Sequence, residues 1–472
     1  MTDSVMYGHL WGTPELGEVF EERNRIRGWV EILAALAQAQ ASLGIIPGQA
    51  ARDLAGAAGR EDLDLDVDLA ARETRRTGHS TLGFIEALRR VLPPQAARWA
   101  YYGATVQDLT DTWMALAMKR VGAIAWRDLR AIEDQLLTLA VASRDTLMAG
   151  RTHGQPGSPV TFGLKAASWA DEVRRHLDRL REGAPRWLTG QLAGAVGSLG
   201  FFDDQGLELR ARFCARLGLA DPGISWTSCR DRPAEFCLVL AMITATLGRI
   251  GSEVYELQRP EIGELAEGLS PDAVSSITMP HKRNPEAAEH LVTLSRLARA
   301  NAQVLLEGMV AEHERDGRSW KAEWPAFSET CLYAGASLSL GTVLLAGLEV
   351  HPRAMRANVE RARGFLASEA VLAALAPSVG KHQAQAILQA ALGPGWRAGQ
   401  TLADVVASLP ADPGTRARLL QAAGPAGGPP RESAGGSARE SAGAAAGSAP
   451  GMVDAVVARA RAARAAEGDR WP

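Results

Sequence analysis

The strongest chemical candidate in the chain is the run Ser275-Ser276-Ile277-Thr278-Met279-Pro280-His281-Lys282-Arg283-Asn284-Pro285. Two adjacent hydroxyls offer a proton acceptor, Lys282 a fixed cation and Asn284 an amide donor, a set that suits a substrate bearing a carboxylate. Gly268 and Pro271 break the chain before this run, and Pro285 can open a helix after it. The run is therefore a loop, residues 268–285, between two long helices. By residue type alone, a solvated basic loop accounts for it as well. Elsewhere the chemistry is sparse. Cys214, Cys229, Cys237 and Cys331 form no C-x-x-C pair, and Cys229 reads as a buried small side chain rather than a nucleophile. The nine histidines are scattered without metal-ligand spacing, and no glycine-rich phosphate loop follows a strand. No metal and no cofactor is expected.

The elements that must position this loop are helical. Strand signals are nearly absent, and the fold class expected is all-α. Residues 24–43 place Ile26, Trp29, Ile32, Leu33 and Leu36 on one stripe, with Gly44 and Pro47 as the stop. Five longer helices are expected over residues 123–148, 160–182, 232–257, 286–313 and 326–348. None can hide its apolar face alone, so an elongated bundle is implied. Several are apolar on more than one side, which points to faces shared between copies of the chain. Residues 330–348 carry no charge, but Gly335, Gly341, Gly347 and several hydroxyls favour a bundle helix over a membrane span.

The expected organisation is an N-terminal helical domain over residues 1–102, the bundle over 103–348, and a C-terminal helical domain over 349–472. Within the last, residues 424–451 repeat RESAG and hold almost nothing able to pack, the composition of a flexible linker. The tail beyond regains helical character and should dock on the body. With 51 Lys and Arg against 54 Asp and Glu, the net charge of −3 gives no electrostatic case for nucleic acid as a partner. The N-terminus has no basic start and no apolar core, and the cysteine usage fits a reducing compartment, so the expected location is cytoplasmic.

The loop resembles the signature segment of the fumarase/aspartase superfamily, whose usual form is G-S-S-x-M-P-x-K-x-N-P. Two further stretches follow that family in the right order: Gly103-Ala104-Thr105-Val106-Gln107-Asp108 resembles its G-x-T-S-x-D, and Arg151-Thr152-His153-Gly154-Gln155 its R-T-H-x-Q. The likeness runs from WGTPEL near the start to Gln389. It implies an all-α, three-domain subunit, a homotetramer built on a large helical core, and active sites shared between subunits. It also implies roles. Ser276 would be the base that takes a proton beside a substrate carboxylate; a one-residue slide of the alignment would nominate Ser275. His153 would be the general acid. Thr105, Gln107, Lys282, Asn284, His79 and Arg230 would contact the substrate, a small dicarboxylate, and Gly194-Ala195-Val196-Gly197 would bring backbone amides close to it. For His79 a turn histidine, and for Arg230 a partly exposed ion pair at a helix start, explain the residues equally well. A serine is a weak base at its solution pKa, so the loop must stabilise its anion on closing.

Within the superfamily, the stretches HLWGTPEL and GMVAEHERDGRSWKAEW look most like carboxymuconate cycloisomerases. Adenylosuccinate lyases usually carry an Arg-Tyr pair where Leu10-Trp11 stands, and a serine-rich stretch ending in arginine after E-R-D. Losing those partners disfavours a nucleotide phosphate. Retention of His153 suits elimination, and Val106 and Ile277 replace family hydroxyls. The expectation is a lyase of carbon–nitrogen type that releases fumarate from a substituted succinate, with nitrosuccinate favoured. Carboxymuconate cycloisomerase, an adenylosuccinate lyase-like activity and an inactive structural relative are the alternatives.

Overall fold

The computed structural model describes residues 4–60, 63–270, 272, 274–424 and 446–471. Most of the candidate linker thus lies outside the described residues, and its last part, from Ala449, is helix. The chain is all-α apart from two small two-stranded sheets. Five long helices form the body: α1 (Val106–Ala142), α2 (Phe162–Trp187), α3 (Asp231–Gln258), α4 (Glu286–Gly308) and α5 (Gly317–Ala346). Their order was legible, but α1 begins at Val106 rather than residue 123. A capping box between Thr105 and Asp108 fixes that start, each accepting the other's backbone N–H. Its far end also differs. Residues 147–161, expected to be helix up to 148 and again from 160, form a hairpin of β1 (Leu147–Thr152) and β2 (Gln155–Thr161).

Polar contacts set the direction of each rod. Arg230, at the start of α3, meets Asp111 near the start of α1, and Gln135 near the end of α1 meets Thr342 near the end of α5. The helices therefore run alternately up and down. At 1.5 Å per residue, the 37 residues of α1 span about 55 Å and separate two ends of the bundle. One end holds Thr105; the other holds the hairpin and the loop 268–285. The bundle core is nearly continuous, from Met118, Trp126 and Leu129 on α1 to Trp169 on α2, Phe236 on α3 and Phe327 on α5. Two of these helices, α3 and α5, are long and apolar enough to cross a membrane, yet both bury most or half of that surface within the fold.

A second core joins the N-terminal helices, such as Glu22–Ser42, to Leu109 and to Leu192, Leu199, Phe202 and Phe213 from the middle of the chain. A third, around Val371, Leu388, Leu402 and Leu419, organises the C-terminal helices. The final helix, α6 (Ala449–Ala466), leaves that third unit and packs on the bundle through Val453, Val457 and Ala460. Its docking is anchored twice. The buried carboxylate of Glu467 accepts from Arg174 and Arg181, at 2.5 and 2.8 Å. Trp471 then donates its indole N–H to the Leu180 carbonyl, and its ring fills the notch above Gly122, where a Cβ would stand 2.2 Å from the ring. We expect Trp471→Ala to cost about 2–4 kcal/mol, the range for emptying a large aromatic site. Limited proteolysis should then cut the tail ahead of α6 while the bundle persists.

Candidate active site

At the Thr105 end, a corner is assembled from four segments. The Thr105 hydroxyl caps α1 and accepts from Arg315 Nη1 at 3.1 Å, while Arg315 Nη2 reaches the Gly194 carbonyl at 3.3 Å. Arg315 Nε is buried with no protein partner, so the guanidinium keeps a donor in reserve. Beneath it, the Asp108 carboxylate accepts from the backbone N–H of Thr105, Ala193 and Gly194 at 2.9, 2.7 and 3.3 Å. The glycine loop at 194–197 is thus held by Asp108, and the Gly194 amide is turned inward. Burial raises the Asp108 carboxyl to about 7, even against those three amides and Arg315. Tyr101 stands nearby in a left-handed backbone conformation, φ 67°, and burial raises its phenol well above its ordinary value, with Asp108 adding to the shift.

Arg315 and Tyr101 had not been assigned roles from the sequence. Arg315 lies within the E-R-D of the stretch quoted above, and an arginine there, beside two unmatched family positions, was a usable signal. Tyr101 had none, because its positive φ is invisible in the residue order.

His79 is exposed, and its Nδ1 accepts from the N–H groups of Thr81 and Leu82 at 3.4 and 3.2 Å. That is the turn role, and it leaves the other ring nitrogen free. Gln107 and Arg230 are corrected. Gln107 is wholly buried and donates to the Thr227 carbonyl at 2.7 Å, away from any opening. Arg230 is 2% exposed, and every nitrogen of its guanidinium is engaged by Asp111 or Glu323, at 2.6–3.2 Å. It is a buried tie between α1, α3 and α5, not a partly exposed pair and not a ligand contact. Cys229 beside it is exposed rather than buried.

The remaining candidates occupy the other end. His153 and Gly154 are the two loop residues of the hairpin, with Thr152 paired to Gln155 and φ values of 54° and 74°. Two successive positive φ angles make the primed turn that suits a tight hairpin, so His153 projects from its tip, exposed, rather than from a helix. Arg151 holds the hairpin down through a bidentate pair with buried Glu264, both contacts 2.8 Å.

The loop 268–285 is pinned at its neck and open at its tip. Gln258 bonds both Glu267 N and the Arg283 carbonyl, Arg283 donates to the Glu267 carbonyl, and Glu267 in turn caps α4 through Ala287 and Ala288. Ser275 Oγ accepts from Asn284 N, and Asn284 Nδ2 donates to the Ser275 carbonyl, both at 2.7 Å. Ser275 is therefore spent on the clasp. Ser276 is not: its Oγ accepts the Met279 amide at 3.1 Å, and its own proton is uncommitted. The Lys282 N–H closes a turn onto the Met279 carbonyl at 2.9 Å with Pro280 at the favoured second position, so the ammonium stands on the same turn, exposed. Ile277 is 93% exposed. Among the described residues no group of His, Cys, Asp and Glu is placed to hold a metal ion.

Two chemical sets thus sit about 55 Å apart within one subunit: a cation, a hydroxyl and amides at one end, a hydroxyl on an amide, an ammonium and a histidine at the other. Stability measurements check the framework. Arg230→Met strands two buried carboxylates and should cost about 3–5 kcal/mol in denaturant unfolding. For Asp108, the folded chain holds a proton between about pH 4 and pH 7 that the unfolded chain has released, so this group favours folding more as pH falls through that window. Urea titrations should show wild type gaining on Asp108→Asn from about pH 8 to about pH 5.

The comparisons agree with this geometry. Residues 11–299 match the lyase family model. An N-acetyl-S-(2-succino)cysteine lyase from Dickeya dadantii is 40% identical over 384 residues, 81% of this chain and 84% of that one. A 3-carboxy-cis,cis-muconate cycloisomerase from Pseudomonas aeruginosa is 36% identical over 375 residues, 79% and 81% of the two chains. The crystal structure of a fumarate lyase from Mesorhizobium sp. BNC1 superposes with a TM-score of 0.83 at 32% identity, covering 95% of this chain and 98% of that one. The chain belongs to this lyase family of the fumarase/aspartase superfamily, and it is an enzyme of that kind.

Proposed function

We propose that the chain removes a thiol from a 2-thio-substituted succinate by β-elimination and releases fumarate. The observation that carries this is the Ser276 hydroxyl, held by the Met279 amide on the turn that bears Lys282. Ser276 takes the proton from the carbon beside one carboxylate, and the charge that develops on that carboxylate is held by Lys282 and Asn284. The Met279 N–H stabilises the serine oxygen as it becomes anionic, which is what a weak base needs. The electron pair left on carbon then forms the double bond as the bond to sulfur breaks. A thiol has an ordinary pKa near 8.5, so it leaves as the anion with little help. His153 supplies the proton where the leaving group demands one.

The preference for sulfur over the nitro group expected from the sequence rests on the Dickeya relative, whose name describes a succinylated cysteine. Neither relative reported above is named for nitrosuccinate, which becomes an arm of the test. The cycloisomerase reading stays second on the strength of the Pseudomonas relative. We further propose a homotetramer. One subunit cannot bring His153 or Ser276 to Thr105, whereas copies packed side by side in opposite directions can.

Purified protein offered N-acetyl-S-(2-succino)cysteine, nitrosuccinate and carboxymuconate separately should release fumarate from the first, read by absorbance and by thiol titration. Loss of the muconate chromophore without fumarate would move the assignment to the cycloisomerase. Ser276→Ala should lower kcat by about 10³-fold, the usual worth of a positioned base. Ser275→Ala should act chiefly on loop order. Inactive Ser276→Ala and inactive Thr105→Ala subunits, mixed and reassembled, should regain part of the activity, since some sites then receive both intact residues. Absence of any recovery would count against shared sites.

A further inference from the structure

Between the helix Glu22–Ser42 and the bundle lies a cavity of about 440 Å³, walled by Phe20, Trp29, Trp113 and Trp324, with Arg25 and Thr110 among its lining. Three donors on its wall have no acceptor: Arg25 Nε, Trp29 Nε1 and Trp324 Nε1 are all buried and unpartnered. Each can only donate. Buried donors without partners are rare, because each has given up water for nothing. Three in one aromatic-walled cavity are three vacancies for acceptor oxygens. The Thr110 hydroxyl donates to the Val106 carbonyl at 3.2 Å, so its lone pairs remain free to accept.

The position ties this cavity to the reaction. Thr110 lies five residues beyond Thr105 on α1, about 7 Å along the axis, and Trp324 lies in the first turns of α5, which follows Arg315 closely. A succinate held at the corner of Thr105 and Arg315 would carry its 2-substituent toward this space. The same two tryptophans and Arg25 are poorly suited to a bare nitro group, which offers no apolar surface to the rings.

We propose that this cavity is the leaving-group pocket, and that it takes an N-acylated, thioether-linked amino acid. The carboxylate and the acyl carbonyl together present three oxygens to the Arg25, Trp29 and Trp324 N–H groups, the thioether and acyl methyl lie on the aromatic rings, and the acylamide N–H meets Thr110. A free amine at the same position would instead bring a cation toward Arg25. N-acylation is therefore part of what the pocket selects. This inference rests on the elimination reading above.

The test uses Trp29→Phe and Trp324→Phe, which keep the ring and remove only the donor. Each is assayed by fumarate release from N-acetyl-S-(2-succino)cysteine and from 2-(methylsulfanyl)succinate, whose leaving group is too small to reach the cavity. The ratio of kcat/KM for the first substrate to that for the second should fall at least tenfold, through KM, in each variant. A merely structural role would lower both substrates alike and hold the ratio, which would overturn the assignment, as would no effect at all. Calorimetric binding of N-acetylcysteine to the wild type, with cysteine as the comparison, separates the two failures. If neither succinate yields fumarate, the elimination reading falls, and the pocket falls with it only if N-acetylcysteine also fails to bind or binds no better than cysteine.

Discussion

The length of one helix governs this molecule. Thr105 caps α1 at one end, and the hairpin carrying His153 begins just past the other, so two chemically necessary groups are fixed about 55 Å apart by a rod that cannot bend to join them. A stiff spacer inside a subunit is a cost if the site is intramolecular. It becomes useful only if neighbouring rods lie antiparallel, because each end then meets the complementary end of another copy. On that view the apolar surfaces left on several bundle helices and the separated site have one cause.

Rigidity and freedom are divided accordingly. At the Thr105 end, Arg230 is shared by Asp111 and Glu323, and along the shaft Arg174 is shared by Glu133 and Glu467. In both clusters one cation serves two carboxylates, and burial raises Glu323 and Glu133 above their ordinary range. Such clusters contribute little net stability over well-packed apolar residues, yet they penalise any slip that unpairs a charge. They hold register, which a site built from distant segments requires. The loop 268–285 shows the opposite design. Its neck is locked by Gln258, Glu267, Ser275 and Asn284, while Ile277 projects into solvent. An isoleucine exposed on the tip beside the proposed base gives closure onto a neighbour a hydrophobic driving force.

How much of this was legible follows from physics rather than from tallies. The bundle helices were readable because a 3.6-residue apolar period survives any tertiary context. The start of α1 was missed because Gln107, Asp108, Thr110, Asp111 and Thr112 look like a solvated face, whereas they are buried polar groups that tie the Thr105 end together. The hairpin was missed because Arg151-Thr152-His153-Gly154-Gln155 has no alternating apolar residues; its strands are held by turn geometry and by Glu264, a partner 113 positions away from Arg151. The tail was read as helical, but its destination depended on a notch at Gly122, which only packing reveals. Arg230 was visible as charged and invisible as buried. The candidate base was the reverse: two adjacent serines were equivalent on paper, and only the clasp between Ser275 and Asn284 tells them apart.

The proposed chemistry also explains why one framework can serve different leaving groups. Proton removal and charge stabilisation are common to every elimination from a succinate, and here both belong to the loop. What differs is the departing atom. An amine leaves poorly unless protonated, whereas a thiolate is already stable near neutral pH. A thiol-releasing member can therefore tolerate an acid that stands on an exposed hairpin tip with no hydrogen bond fixing its tautomer among the described residues, as His153 does. The selective demand then shifts from the acid to whatever recognises the rest of the leaving group. That places specificity not in the motifs shared with distant relatives but in the positions where this chain departs from them, Leu10-Trp11 and the tryptophans after Arg315, whose aromatic surfaces replace the cations a phosphate would need.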